Sequence, residues 1–275
     1  MGAATDGVNG FKLAKASSVA TFAIESAGVG TFALVTSATG VQILNITDPH
    51  SLQPMGAASD GVDGFEVLDG ANGISVFAIN GSTYAAVSSY FDNGVQIIDV
   101  SNPSVPVAVS AATNGADGFT KLTGASGVAT FAIGASTFAI ATSFEGNGVQ
   151  IFDVSDPKDP LAMGTATDGV DGFSMLSGAN CVAVFAIETS MFAIVASYDE
   201  KSKQGVQLIN LSDPQNPVAV GAASNGVDGF NALEGALVSK EVSSCMHMHM
   251  HMHMHMHMHM HMHMHMHMHM HMACT

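Results

Sequence analysis

The chain of 275 residues has room for one large β domain or two average ones. Hydrophobic residues make up 47% and charged residues only 11%, enough apolar side chains for a sizeable core, and the formal net charge is -16. The 7 cations are all lysines. Without arginine forks or a basic surface to displace counterions from phosphates, nucleic acid is not an expected partner.

The opening, MGAATDGVNGFKLAKAS, lacks a charged stretch followed by an apolar one, so no signal peptide is visible. No run approaches the ~20 apolar residues of a membrane helix, and no membrane insertion is expected. TDGVNGF at Thr5–Phe11 returns as SDGVDGF at Ser59, TNGADGF at Thr113, TDGVDGF at Thr167 and SNGVDGF at Ser224, at spacings of 54, 54, 54 and 57. The excess lies in SYDEKSKQGVQ, where the earlier unit has SYFDNGVQ, and predicts a loop tip. Internal repetition at this period governs the fold before any local propensity does.

Each unit carries four short runs with strand character, in the third unit GVATFAI, STFAIATS, GVQIFDVS and PLAMGTAT. β-branched and aromatic residues alternate at period two, and Gly, Asn, Asp or Pro separates the runs. Gly and Thr interrupt every helical stripe. Phe22, Phe77, Phe131 and Phe185 stand in register, as do Phe32, Tyr84, Phe138 and Phe192, and both sets are expected to form core layers. The expected fold is all-β, a β-propeller-like array of four ~54-residue, four-stranded repeats. The repeat domain spans 1–236, with units at about 11–64, 65–118, 119–172 and 173–229, and 237–275 is a low-complexity tail expected to be disordered.

Candidate sites are few. His50 is the one histidine before the tail and sits in the turn TDPHSLQP, so no nucleophile–base pair is expected and the chain reads as non-enzymatic. Asp60 with Asp63 and Asp168 with Asp171 recur in the DGVDGF phrase; Asp117 and Asp228 keep its second carboxylate, while Asp6 keeps its first. Carboxylates alternating with glycine offer oxygens to calcium, but Asp-Gly and Asn-Gly are also favoured turn formers, and turn chemistry is the leading reading. The proline-rich segments beginning at Asp48, Asn102, Asp156 and Asp213 belong between strands. Asp99 and Asp153, with Asn45 and Asn210 in register, close the GVQI strands and need backbone partners only if buried.

NGVQIIDVSNPSVPV at Asn93–Val107 and NGVQIFDVSDPKDPL at Asn147–Leu161 resemble the LVIVD-type repeat of bacterial and archaeal surface proteins. The resemblance covers about Gly2 to Ala236. It implies propeller architecture and an extracellular or cell-surface location, and it carries no common reaction. The first residues, MGAATDG, match MGAASDG at Met55–Gly61, the closing strand of a unit, so the chain begins partway through a repeat. Two arrangements follow: a closed four-bladed ring with a spare strand, or a piece of a larger array.

From Met246 to Met272, Met and His alternate without exception. His247, His249, His251, His253 and their successors suit nickel, zinc and copper, and the thioethers suit cuprous copper. Perfect monotony fixes neither ligand number nor geometry, so such binding is expected to be adventitious. Cys181, Cys245 and Cys274 form no disulfide framework. The leading expectation is an interaction module, surface-borne or secreted, presenting repeated loops to a protein or glycan, with no required cofactor. The alternatives are a metal-binding protein acting through the tail, and a propeller hydrolase or lactonase with a central metal ion.

Overall fold

Strands form where the apolar runs alternate and stop where Gly, Asn or Asp turns the chain. The computed structural model describes residues 3–24, 30–199, 204–230 and 233. The first sheet holds β1 (Val19–Ile24), β2 (Gly30–Ser37), β3 (Gly40–Asn45) and β4 (Gln53–Ser59). The second holds β5 (Ala71–Ile79), β6 (Ser82–Ser89), β7 (Gly94–Asp99) and β8 (Val107–Thr113). The third holds β9 (Ala125–Ile133), β10 (Ser136–Ser143), β11 (Gly148–Asp153) and β12 (Leu161–Thr167). The fourth holds β13 (Ala179–Ile187), β14 (Ser190–Tyr198), β15 (Gln204–Asn210) and β16 (Val218–Ser224). Each sheet is an antiparallel meander whose spatial order is its sequence order, the architecture of propeller blades. No helix among the described residues is long and apolar enough to cross a membrane.

Both faces of each sheet are apolar, so each must be covered twice. The rear face of the first sheet (Phe22, Phe32, Leu34, Ile43) packs on the front face of the second (Ala85, Val87, Ile98, Val100). The second meets the third through Phe77, Ile97, Ala139 and Phe152, and the third meets the fourth through Phe131, Ile151, Val195 and Ile209. The expected aromatic layers are cross-strand pairs: Phe22 is directly opposite Phe32 at 5.5 Å between centroids, and Phe131 is opposite Phe138 at 5.6 Å. Such pairs add to the burial of the rings themselves.

Hydroxyls stitch the inner strands together. Thr36 donates to the Asn72 carbonyl at 3.0 Å, Ser88 to the Ser126 carbonyl at 2.5 Å and Thr142 to the Asn180 carbonyl at 2.7 Å, each across a joint between sheets.

The DGVDGF phrase links consecutive sheets. The amide of Gly61 donates to the Phe65 carbonyl at 2.7 Å and that of Phe65 to the Val62 carbonyl at 3.0 Å, a double turn that drives the phenylalanine inward. Phe65, Phe119 and Phe173 are all buried between sheets. The opening residues depart from the sequence expectation. Ala3, Ala4 and Thr5 match part of β4 in sequence, yet they form no strand, because no β3-type partner lies beside them among the described residues. The tail, Cys245, Cys274 and most of the charged insertion (200–203) lie outside the described residues.

Candidate functional site

One end of the array is built from the β6–β7 and β10–β11 turns and from the linkers that lead into the innermost strands. Asn93 and Asn147 adopt positive φ (55° and 52°) just before the glycines that open β7 and β11. Their side-chain oxygens accept from linker amides, Gly124 to Asn93 at 2.7 Å and Gly178 to Asn147 at 2.9 Å. Each turn is thereby pinned to the linker of the following sheet. Asp92 is held instead to the linker of its own sheet, accepting from the Asp69 amide at 2.7 Å and the Ser89 hydroxyl at 2.9 Å.

On this frame stands an aromatic group: Tyr90 has aromatic counterparts in Phe144 and Tyr198, while Phe91 stands where the later units have Glu145 and Asp199. Tyr90 meets Phe91 edge to face at 5.3 Å and lies 6.2 Å from Phe144. Its hydroxyl donates to Glu145 Oε1 at 3.0 Å. Burial, followed by the hydrogen bond and the charge of Glu145, pushes the Tyr90 phenol up to about 12. Phe91 is 59% exposed, a large apolar ring left facing water. Gly70 makes room for it: φ is 70° there, and a Cβ would stand 2.6 Å from the Phe91 ring. The Lys121 ammonium donates to the Gly146 carbonyl at 3.0 Å.

The carboxylates singled out from the sequence lie elsewhere. Asp60 accepts from the Leu68 amide and Asp168 from the Leu176 amide, both at 2.9 Å; Asn114 and Asn225 do the same for Leu122 and Leu233. Asp63, Asp117, Asp171 and Asp228 are exposed and adopt positive φ between 47° and 53° within the double turn. Asp63 also lines an open groove of about 380 Å3 between the first two sheets, with Ala57, Phe65, Ser104 and Pro106. Among the described residues, no three of His, Cys, Asp and Glu stand together as a set able to hold a metal ion. His50 is in an exposed turn, and His247, His249, His251 and His253 lie outside the described residues.

The proline segments are Asx turns. Asp48 accepts from the His50 amide at 2.9 Å, Asn102 from Ser104 at 3.1 Å, Asp156 from Lys158 at 3.0 Å and Asp213 from Gln215 at 3.0 Å. The Asn216 side chain and the Gln215 amide hold the Asp213 carboxyl below the usual range. Asp99 and Asp153 likewise accept from the amides two residues on, at 2.8 and 2.7 Å.

Two features escaped the sequence reading. The glutamine of each GVQ motif is buried and joins linker to sheet. Gln150 accepts from the Thr120 amide at 3.1 Å and donates to the Gly164 carbonyl at 3.2 Å, and Gln42, Gln96 and Gln207 repeat the arrangement. Its signal was the recurrence of one polar residue amid apolar ones. The Tyr90–Glu145 group carried the opposite signal, since its turns are where the four units differ most in length and composition.

The profile of the LVIVD repeat matches residues 83–113, which span β6, β7 and β8 with their connecting loops. No curated protein matches the chain at a significant level. Among solved structures, a functionally unknown protein from Desulfotomaculum acetoxidans is 14% identical with a TM-score of 0.51, over 76% of this chain and 56% of its own. A periplasmic gluconolactonase from Pseudomonas aeruginosa is 14% identical with a TM-score of 0.50, over 71% of this chain and 54% of its own. An exo-β-1,3-galactanase from Phanerochaete chrysosporium is 11% identical with a TM-score of 0.50, over 78% of this chain and 50% of its own. The chain thus spans about half the length of these structures, and at such identity they speak to fold alone. On sequence and fold together, the protein carries an LVIVD repeat within a propeller-like array of four-stranded sheets.

Proposed function

We propose that the protein is a non-catalytic interaction module, surface-borne or secreted, whose loop end binds a neutral glycan. The observation that carries this reading is the exposed Phe91 ring, set against Tyr90, which in turn meets Phe144 and Glu145, on turns pinned by the linkers. An exposed aromatic face covers the apolar C–H face of a sugar ring, and neighbouring carboxylates accept from its hydroxyls. Turns pinned in advance lose little entropy on binding. The LVIVD match supports the external location.

The test is a glycan array followed by calorimetry on the hits. Binding that falls at least tenfold in Phe91→Ala, with thermal unfolding unchanged, supports the module. Capture of a protein through the same residues, with no glycan bound, would keep the module and replace its ligand class. Turnover of glycosides or lactones that disappears in Glu145→Gln would overturn the reading in favour of a hydrolase.

A further inference from the structure

The three joints between sheets are one interface used three times, and its two unpaired halves stand at opposite ends of the array. The rear face of each sheet presents the same positions. In the first three sheets these positions are closed: Phe22, Phe77 and Phe131 are 6–8% exposed, and Ile43, Ile97 and Ile151 are fully buried. The fourth sheet keeps the apolar side chains and lacks that cover among the described residues. Phe185 is 36% exposed, Ile187 54% and Val220 53%, and Phe192, Ile194, Val206 and Leu208 are only half-buried.

The opposite half is on the first sheet. Val35 and Ile46 occupy the positions of Val87 and Val100 in the second, which are fully buried, yet both are only partly covered by the N-terminal segment around Phe11. None of the four apolar clusters joins the fourth sheet to the first.

A small residue marks the seam, glycine in the first and third joints and Ser110 in the second, where its hydroxyl donates to the Pro157 carbonyl at 2.6 Å. In the joints, Gly56 donates its amide to the Pro103 carbonyl of the next sheet at 2.8 Å, and Gly164 to that of Pro214 at 2.9 Å. A Cβ at Gly56 would meet the Pro106 ring, and one at Gly164 the Pro214 carbonyl, at 2.4 and 2.6 Å. Gly221 is their counterpart on the fourth sheet, and a Cβ there meets nothing within 4 Å. Pro49 is the counterpart of the accepting prolines on the first sheet.

We infer that the rear face of the fourth sheet docks on the front face of the first sheet of a second copy of the chain. The occupant follows from continuity with the internal joints: the surface shaped to receive Phe185, Leu208 and Gly221 is the one this chain already carries on its first sheet. The joint needs one linker phenylalanine, and Phe11 is seated at 5% exposure while Phe230 stands at 48%. A head-to-tail contact either closes or propagates, and two copies made reciprocally would close a twofold ring of eight sheets, within the size range of propellers. Ala196 stands where Thr36, Ser88 and Thr142 bridge the internal joints, so the joint between copies lacks that bond and is the weaker one.

The experiment is sedimentation equilibrium on the full chain, with chelator present to silence the tail. The expected result is a species of twice 28.2 kDa. Gly221→Arg, whose Cβ meets nothing within 4 Å among the described residues, is expected to sediment as a folded monomer. Leu208→Asp is expected to do the same. A monomeric wild-type chain up to millimolar concentration would overturn the inference. So would a Gly221→Arg chain that remains dimeric, whereas an open-ended ladder of sizes lost in Gly221→Arg would support the docking and overturn only the twofold closure.

Discussion

The Tyr90 hydroxyl donates to Glu145 Oε1 at 3.0 Å, tying the β6–β7 turn to the β10–β11 turn across the joint between the second and third sheets. The bond joins the first residue of one turn to the second residue of the next, Glu145 standing where the second sheet has Phe91. Tyr90 is raised from its ordinary value of 10.0 to about 12, first by burial and then by Glu145. A folded state that holds the proton more tightly gains stability below pH 10.0 and loses it as the pH climbs to about 12. Because Tyr90 is partly exposed, the loss is expected to be small. Ultraviolet titration of the phenols should show a late-ionising group that is absent from Tyr90→Phe and shifted to lower pH in Glu145→Gln. An unshifted titration in Glu145→Gln would leave burial as the whole cause.

Gln150→Ala should destabilise the third sheet more than its size suggests. The substitution strips partners from the Thr120 amide and the Gly164 carbonyl, and Gln150 itself is fully buried. Each buried group left unpaired costs about 1–3 kcal/mol. Thermal unfolding should fall by several degrees, and an unchanged midpoint would mean that water replaces the amide.

The two carboxylates of one DGVDGF phrase should respond in opposite ways. Asp168→Ala removes the acceptor of the Leu176 amide and should cost about 1 kcal/mol, the typical worth of such a bond. Asp171→Gly relieves a side chain held at φ 49° and should be neutral or slightly stabilising. Calcium in place of chelator should leave the unfolding midpoint of the full chain where it was. A rise of several degrees with calcium, lost in both variants, would establish a cation site at these loops instead.

The Met-His segment should retain the chain on immobilised nickel, and a chain ending at Ser244 should pass through. Glycan binding is expected to be equal in the two chains. If the shorter chain lost binding, the tail would be part of the function.

Much of the fold was legible because a repeat states its own boundaries. The 54-residue spacing and the period-two runs marked sixteen strands, since a strand buried on both faces needs β-branched and aromatic residues at nearly every position. Asp-Pro and Asp-Gly marked the turns, because proline cannot donate to a ladder and glycine accepts positive φ. The purpose of the polar residues was less legible. Asp60 and Asp168 invited a metal reading from composition, but only the folded linker shows that a backbone amide eight residues on is their partner.

What the sequence by itself determined is the unit: four strands, two apolar faces and a linker that carries a buried phenylalanine. Only the tertiary structure decided how those faces are spent. Phe131 and Phe185 occupy equivalent strand positions, yet one is buried and the other is 36% exposed. The difference lies in whether a following sheet covers them among the described residues. The same holds for Tyr90 and Glu145, which are 55 residues apart in sequence and are joined because the linkers set consecutive turns side by side. Local pattern specifies which side chains seek cover, and the packing of sheet on sheet determines which of them receive it.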